Sequence, residues 1–141
     1  MQVKLLSEDK ELEKIAPVLR ELRPQYSQEQ LLQQIRKQRA DGYQLAWVEE
    51  DGAVLCVAGF VIGEKLAWQK HLYVDDLVSS EKQRSRGAGQ LLMDWLKQYA
   101  REQGCQQLHL DSGVQRFAAH RFYLREGFAI ASHHFSIDKL G

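Results

Sequence analysis

Between His71 and Gln103 the apolar pattern changes from that of a strand to that of a helix, and no other feature constrains the fold as much. His71-Leu72-Tyr73-Val74-Asp75-Asp76-Leu77-Val78 is β-branched and aromatic enough for a central strand. A polar loop follows. From Gly89 to Gln103, Leu92, Trp95, Leu96 and Tyr99 then share one helical face, with Lys97 and Arg101 outside it, and Gly104 supplies the stop. A strand feeding an amphipathic helix calls for a sheet with helices packed against it.

The rest of the chain fits that frame. Val3 to Leu6 reads as a short first strand. Asp9 to Leu22 reads as a helix with Leu12, Ile15, Ala16 and Leu19 at helical spacing, broken or kinked at Pro17. Ser27 caps a second helix over Gln28 to Ala40. Tyr43 to Glu50 and Ala53 to Gly63 form a hairpin about Asp51-Gly52, and Lys65 to Val78 is the next strand. After the Gly89 helix come a strand at Gln106 to Asp111, a helix at Phe117 to Glu126 and a last strand region at Phe128 to Ile137. The order β-α-α-β-β-β-α-β-α-β describes an α+β or mixed α/β sheet rather than a doubly wound parallel one. The 141 residues suit a single domain, 1–141.

The loop before the Gly89 helix carries the chemistry. Arg84-Ser85-Arg86-Gly87-Ala88-Gly89 places two arginines and two glycines where a strand hands over to a helix. The first turn of a helix has N–H groups without intrahelical acceptors, and the helix dipole adds positive charge there. Glycine lets a phosphate approach the backbone, and arginine adds forked donors. These parts make a pyrophosphate cradle. A Walker loop would need Gly-Lys-Ser/Thr where Gly89-Gln90-Leu91 stands, and a dinucleotide fingerprint would need glycine at Leu92. Both nucleotide readings fail.

The run Arg84 to Gly89 resembles the Arg-x-x-Gly-x-Gly/Ala signature of the GCN5-related N-acetyltransferases, the GNAT superfamily. Two further stretches carry the resemblance. Tyr73-Val74-Asp75-Asp76-Leu77-Val78 is similar to the family's fourth strand. Ala118-Ala119-His120-Arg121-Phe122-Tyr123-Leu124-Arg125-Glu126-Gly127-Phe128 is similar to its second signature, a helix ending in Phe-Tyr-x-x-x-Gly-Phe. The likeness covers residues 43–137 well and the N-terminal helices loosely.

The resemblance implies a mixed, mostly antiparallel sheet of six to seven strands flanked by about four helices, with strands 4 and 5 splayed around acetyl-CoA as co-substrate. It implies that the backbone of Leu77 and Val78 pairs with the pantetheine arm. It also implies that the N–H groups of Arg84, Ser85, Arg86, Gly87, Ala88, Gly89 and Gln90 bind the pyrophosphate. Tyr123 becomes the general acid that protonates the departing CoA thiolate. The attacking amine must lose a proton, since an alkyl ammonium has a pKa of roughly 10. Asp75 is the favoured base, with Asp76 and then Glu81 as weaker alternatives. Strand alternation puts Asp75 and Asp76 on opposite faces, so one of them meets the acceptor. Arg116 stands where many members have an asparagine, and there it contacts the cofactor differently or meets a substrate carboxylate. The acceptor pocket of the family is built by the N-terminal helices and the last strands, which makes Tyr26, Trp47, Trp68, His71 and His133 candidates by location.

The implied partner is a small-molecule or peptide amine, and homodimers are common in the family. Lys plus Arg and Asp plus Glu both number 19, a balance that argues against broad nucleic-acid binding. Cys56 and Cys105 read as free thiols of a reducing compartment, and no Cys/His cluster points to a metal. Met1 to Leu6 lacks the apolar core of a secretion signal, and no apolar run approaches the roughly 20 residues of a membrane span, so the expected location is the cytoplasm without membrane attachment. The alternative to an enzyme is a non-catalytic acyl-CoA sensor or interaction module of the same fold.

Overall fold

The computed structural model describes residues 1–83 and 87–141, which form two compact units, Met1–Leu110 and Asp111–Gly141. In the first unit, strands β1 (Gln2–Leu5), β2 (Gln44–Glu50), β3 (Ala53–Lys65), β4 (Gln69–Ser79) and β5 (Gln107–Leu110) lie in that order in one sheet. The first four pair antiparallel, and β4 pairs parallel with β5. A parallel pair needs a crossover, which here contains helix α3 (Ala88–Glu102). The fold class is therefore α+β with a mixed, mostly antiparallel sheet, as expected.

Helices α1 (Leu12–Leu22) and α2 (Gln28–Arg39) cover one face of the sheet. Their Leu12, Ile15, Leu19, Leu31 and Ile35 pack with Leu45, Trp47 and Val57. Ser27 caps α2, its hydroxyl accepting from the Gln30 N–H while the Gln30 side chain accepts from the Ser27 N–H. On the other face α3 presents Leu92, Met93 and Leu96, all fully buried. The stacked rings of Trp95 and Tyr99 meet Phe60 edge-on.

Pro17 does not break α1, which runs unbroken through it after a 3-10 turn at Asp9–Glu11. A helix-interior proline costs about 3 kcal/mol. Full burial of each leucine or isoleucine contributes roughly 1.5–3 kcal/mol. Leu12 and Ile15 before the proline and Leu19 after it are buried, so both halves are held on the sheet. Glu13, whose carbonyl loses its donor, is exposed and open to water.

Glu49 is a polar tie at the edge of this core. Its Oε1 lies 2.6 Å from Lys14 Nζ and accepts from Trp47 Nε1 at 3.0 Å; its Oε2 lies 3.1 Å from Lys4 Nζ. The hydrogen bonds from Lys14 and Trp47 are the main reason its carboxyl drops from an ordinary 4.5 to about 2. A lowered carboxyl pKa stabilises the fold above the unfolded value, and that stabilisation fades as pH falls through the folded one. The stability gap between the native chain and Glu49→Gln should thus be full at pH 7 and shrink from about 4.5 towards about 2. Chemical denaturation of both proteins between pH 7 and pH 3 checks this. A gap that does not change over that range would contradict it.

The second unit contains one regular element, α4 (Phe117–Arg125), which ends at Gly127 with φ +97°. The strand expected at Phe128 to Ile137 is absent, and the described sheet has five strands rather than six or seven. Within its own unit this segment has only a helix beside it, and a helix offers no ladder to join. No helix among the described residues is long and apolar enough to cross a membrane.

Candidate active site

The site is organised by one irregularity in β4. Gly59 pairs with Asp76 and Phe60 with Val74, so Asp75 is an extra residue in the strand. Such a bulge bends a strand and shifts its side chains by one position. Two features accompany it. First, the ladder from β4 to β5 stops at Val74 and Leu110, leaving Asp75 to Ser79 with no rung to β5. Second, Asp76 turns to the α1 and α2 face, where Val74 by simple alternation would have put it on the α3 face. The expectation that Asp75 and Asp76 face opposite sides is corrected here: both line one cleft.

That cleft, of about 410 Å³, lies against α1 and α2 and is lined by Arg23, Gln25, Tyr26, Gln34, Gln38 and Tyr43 among others. Arg23 is the residue at which α1 ends, and from there its guanidinium reaches the bulge. Its Nε donates to Asp76 Oδ1 at 2.9 Å, and its Nη2 lies 2.9 Å from the same oxygen and donates to the Asp75 carbonyl at 3.2 Å. The Tyr43 hydroxyl donates to Asp76 Oδ2 at 2.6 Å. Burial and the neighbouring Asp76 charge drive the Tyr43 pKa far up, so this hydroxyl stays a donor. Gly59 makes room for it, since a Cβ there would overlap the Tyr43 hydroxyl.

Asp75 differs from its neighbour. Its backbone is anchored by Arg23 while its carboxyl is raised above the ordinary aspartate value, first by desolvation and then by the Asp76 charge. A carboxylate raised in this way is a better proton acceptor than an ordinary one. Glu81 lies elsewhere, in a 3-10 turn after β4, its N–H donating to Glu21 Oε1 at 2.9 Å.

Leu77 and Val78 lie on β4 beyond its last rung to β5. Of the phosphate loop, Arg84, Ser85 and Arg86 lie outside the described residues. Gly87 is the N-cap of α3 with φ +79°, a left-handed conformation suited to glycine. The first intrahelical bond runs from the Leu91 N–H to the Gly87 carbonyl at 3.1 Å, so the N–H groups of Ala88, Gly89 and Gln90 have no acceptor within the helix.

In the second unit, Tyr123 sits on α4 at 9% exposure, its ring edge-on to Phe122 and Phe128. Arg116 is the exposed N-cap of that helix, its N–H donating to the Gly113 carbonyl at 3.0 Å. His120 is 2.8 Å from the same carbonyl, a local tie.

Of the acceptor candidates chosen by location, only Tyr26 lines the cleft. Trp47 is fully buried in the core. Trp68 and His71 belong to a ring cluster at the start of β4, with Trp68 stacked 3.5 Å from His109. His133 is an exposed residue of the second unit. Arg23, Tyr43 and Gly59 were not foreseen. Their partners are distant in sequence, and no local spacing marks them.

The acetyltransferase (GNAT) family model matches residues 7–128. The uncharacterized N-acetyltransferase YhdJ of Bacillus subtilis (strain 168) is 32% identical over 137 residues, covering 96% of either chain. Among solved structures, the ribosomal-protein-alanine N-acetyltransferase of Brucella melitensis biovar Abortus 2308 superposes with a TM-score of 0.84 at 16% identity, over 99% of this chain and 100% of that one. The aminoglycoside N-acetyltransferase AAC(6')-Iy in complex with CoA superposes with a TM-score of 0.85 at 14% identity, over 99% and 95%.

Proposed function

This chain belongs to the acetyltransferase (GNAT) family as a GNAT-type N-acetyltransferase, and on that premise we propose that it passes an acetyl group from acetyl-CoA directly to a primary amine lodged in the cleft beside Asp75. The observation that carries this reading is the end of the β4–β5 ladder at Val74, next to a carboxylate-lined cleft. A thioester arm laid along Leu77 and Val78 could use the main-chain groups that β5 leaves unpaired. The α3 N-terminus, with Gly87, Ala88, Gly89 and Gln90 and the preceding Arg84, Ser85 and Arg86, would hold the pyrophosphate.

In this reading Asp75, directly or through water, takes a proton from the bound ammonium. The neutral nitrogen attacks the thioester carbon, a C–N bond forms, and the C–S bond breaks. Tyr123 gives its phenolic proton to the leaving thiolate, and the second proton that the nitrogen sheds on becoming an amide passes through water to the tyrosinate. Asp76 stays out of the proton transfers because Arg23 and Tyr43 hold both its oxygens. Arg116 is assigned to the cofactor side of the site, in the place of the family's asparagine.

Thiol release from acetyl-CoA across a panel of amines tests the activity. The pH profile then tests the base. Since Asp75 titrates above an ordinary aspartate in the free protein, kcat/KM should fall on an acidic limb lying above the ordinary aspartate value. Asp75→Asn should flatten that limb. An unchanged limb in the variant would remove Asp75 as the base.

A further inference from the structure

The cleft carries a charge balance that bears on which amine it takes. Its described lining holds three formal charges: Asp75, Asp76 and Arg23. Arg23 is spent within the protein, on Asp76 Oδ1 and on the Asp75 carbonyl. Asp76 is spent as well, on Arg23 and on the Tyr43 hydroxyl. One negative charge, on Asp75, is left uncompensated. The remaining polar wall is neutral. Gln34 Nε2 donates to Gln38 Oε1 at 2.9 Å, which leaves one amide oxygen and one amide NH₂ of this pair to meet a ligand. Leu19, Leu31 and Ile35 supply apolar lining.

We propose that the acceptor is a compact amine with a single positive charge and a neutral, hydrogen-bonding body. This rests on the preceding reading of the cleft as the acceptor site. An amine that also bears a carboxylate or phosphonate would bring an anion to two carboxylates, with the one arginine already committed. Like charges placed together in this way are penalised strongly. A polyamine would bring a second ammonium with no second free carboxylate in the described lining to receive it, so its desolvation in the cleft would go uncompensated. A neutral polar body meets the glutamine amides without either penalty.

The test is thiol release from acetyl-CoA with three sets of amines matched in size: monocations with hydroxyl or amide groups, amines bearing a carboxylate or phosphonate, and di- or polyamines. The monocations should exceed each other set in kcat/KM by about tenfold or more. Arg23→Gln frees Asp76 and leaves two negative charges, so the diamine-to-monoamine ratio of kcat/KM should rise by about tenfold. This ratio compares two acceptors on one protein and does not depend on how much of the variant is folded. Preferential turnover of acid-bearing amines or of polyamines by the native chain would overturn the charge argument and leave the acetyltransferase site standing. No turnover of any amine would overturn both. A ratio unmoved by Arg23→Gln would show that the three charges do not set the choice.

Discussion

Replacing Tyr123 by phenylalanine should lower kcat by about two orders of magnitude or more, the usual contribution of a placed general acid. Acetyl-CoA affinity should change little. The substitution keeps the ring, which is what packs between Phe122 and Phe128. It also keeps the α4 backbone, including the bond from the Phe128 N–H to the Tyr123 carbonyl at 3.0 Å. Only the phenolic hydroxyl is lost. A tyrosine serving the core alone would lose a buried hydroxyl, and the effect would appear in the denaturation midpoint rather than in kcat. The two roles therefore separate in one set of measurements: kcat by thiol release, cofactor affinity by calorimetry, and stability by denaturation. A thiol leaving group more acidic than CoA needs less protonation, so an activated thioester should recover part of the lost rate. Full activity of the variant with acetyl-CoA would assign Tyr123 to packing.

The parts of this molecule that could be read from sequence are those set by near neighbours. The apolar spacing of Leu92 and Leu96 placed α3, and Asp51-Gly52 placed the β2–β3 turn, to within a residue or two. The helix is not broken at Pro17, because burial of Leu12, Ile15 and Leu19 outweighs local propensity. Phe128 to Ile137 has strand-like composition, but a strand exists only where a partner backbone accepts its bonds. The bulge was the larger loss. Alternation applied to Asp75-Asp76 separates them, and one extra residue in β4 reverses that conclusion. The tie between Arg23 and Asp76 spans 53 residues and that between Tyr43 and Asp76 spans 33, distances over which no periodicity speaks. The family was legible through a resemblance. The lining of the cleft needed the folded chain.

The same long-range network makes Gly59→Ala one of the most damaging single substitutions available. The added Cβ would overlap the hydroxyl end of Tyr43 and lie 2.8 Å from its Cε1. Tyr43 immediately precedes β2, which pairs with Gly59 through Leu45, so the two backbones cannot part without disturbing the sheet and the ring must move. Tyr43 is 5% exposed and packs in the core with Leu19 and Ile35, leaving it little space. Overpacking of this kind costs about 1–3 kcal/mol. Moving the ring also breaks the 2.6 Å bond to Asp76, and a hydrogen bond to a charged group contributes about 1.5–3 kcal/mol. A total loss of about 2.5–6 kcal/mol follows if the two costs add. A double-mutant cycle isolates the cause. In a Tyr43→Leu background the shorter side chain no longer meets the new methyl, so Gly59→Ala should cost about 1 kcal/mol or less, the strand preference for alanine over glycine working in its favour. Equal costs in the two backgrounds would show that the glycine serves the bulge itself rather than the tyrosine. Unequal costs would tie β3, through one absent side chain, to the carboxylate geometry of the cleft.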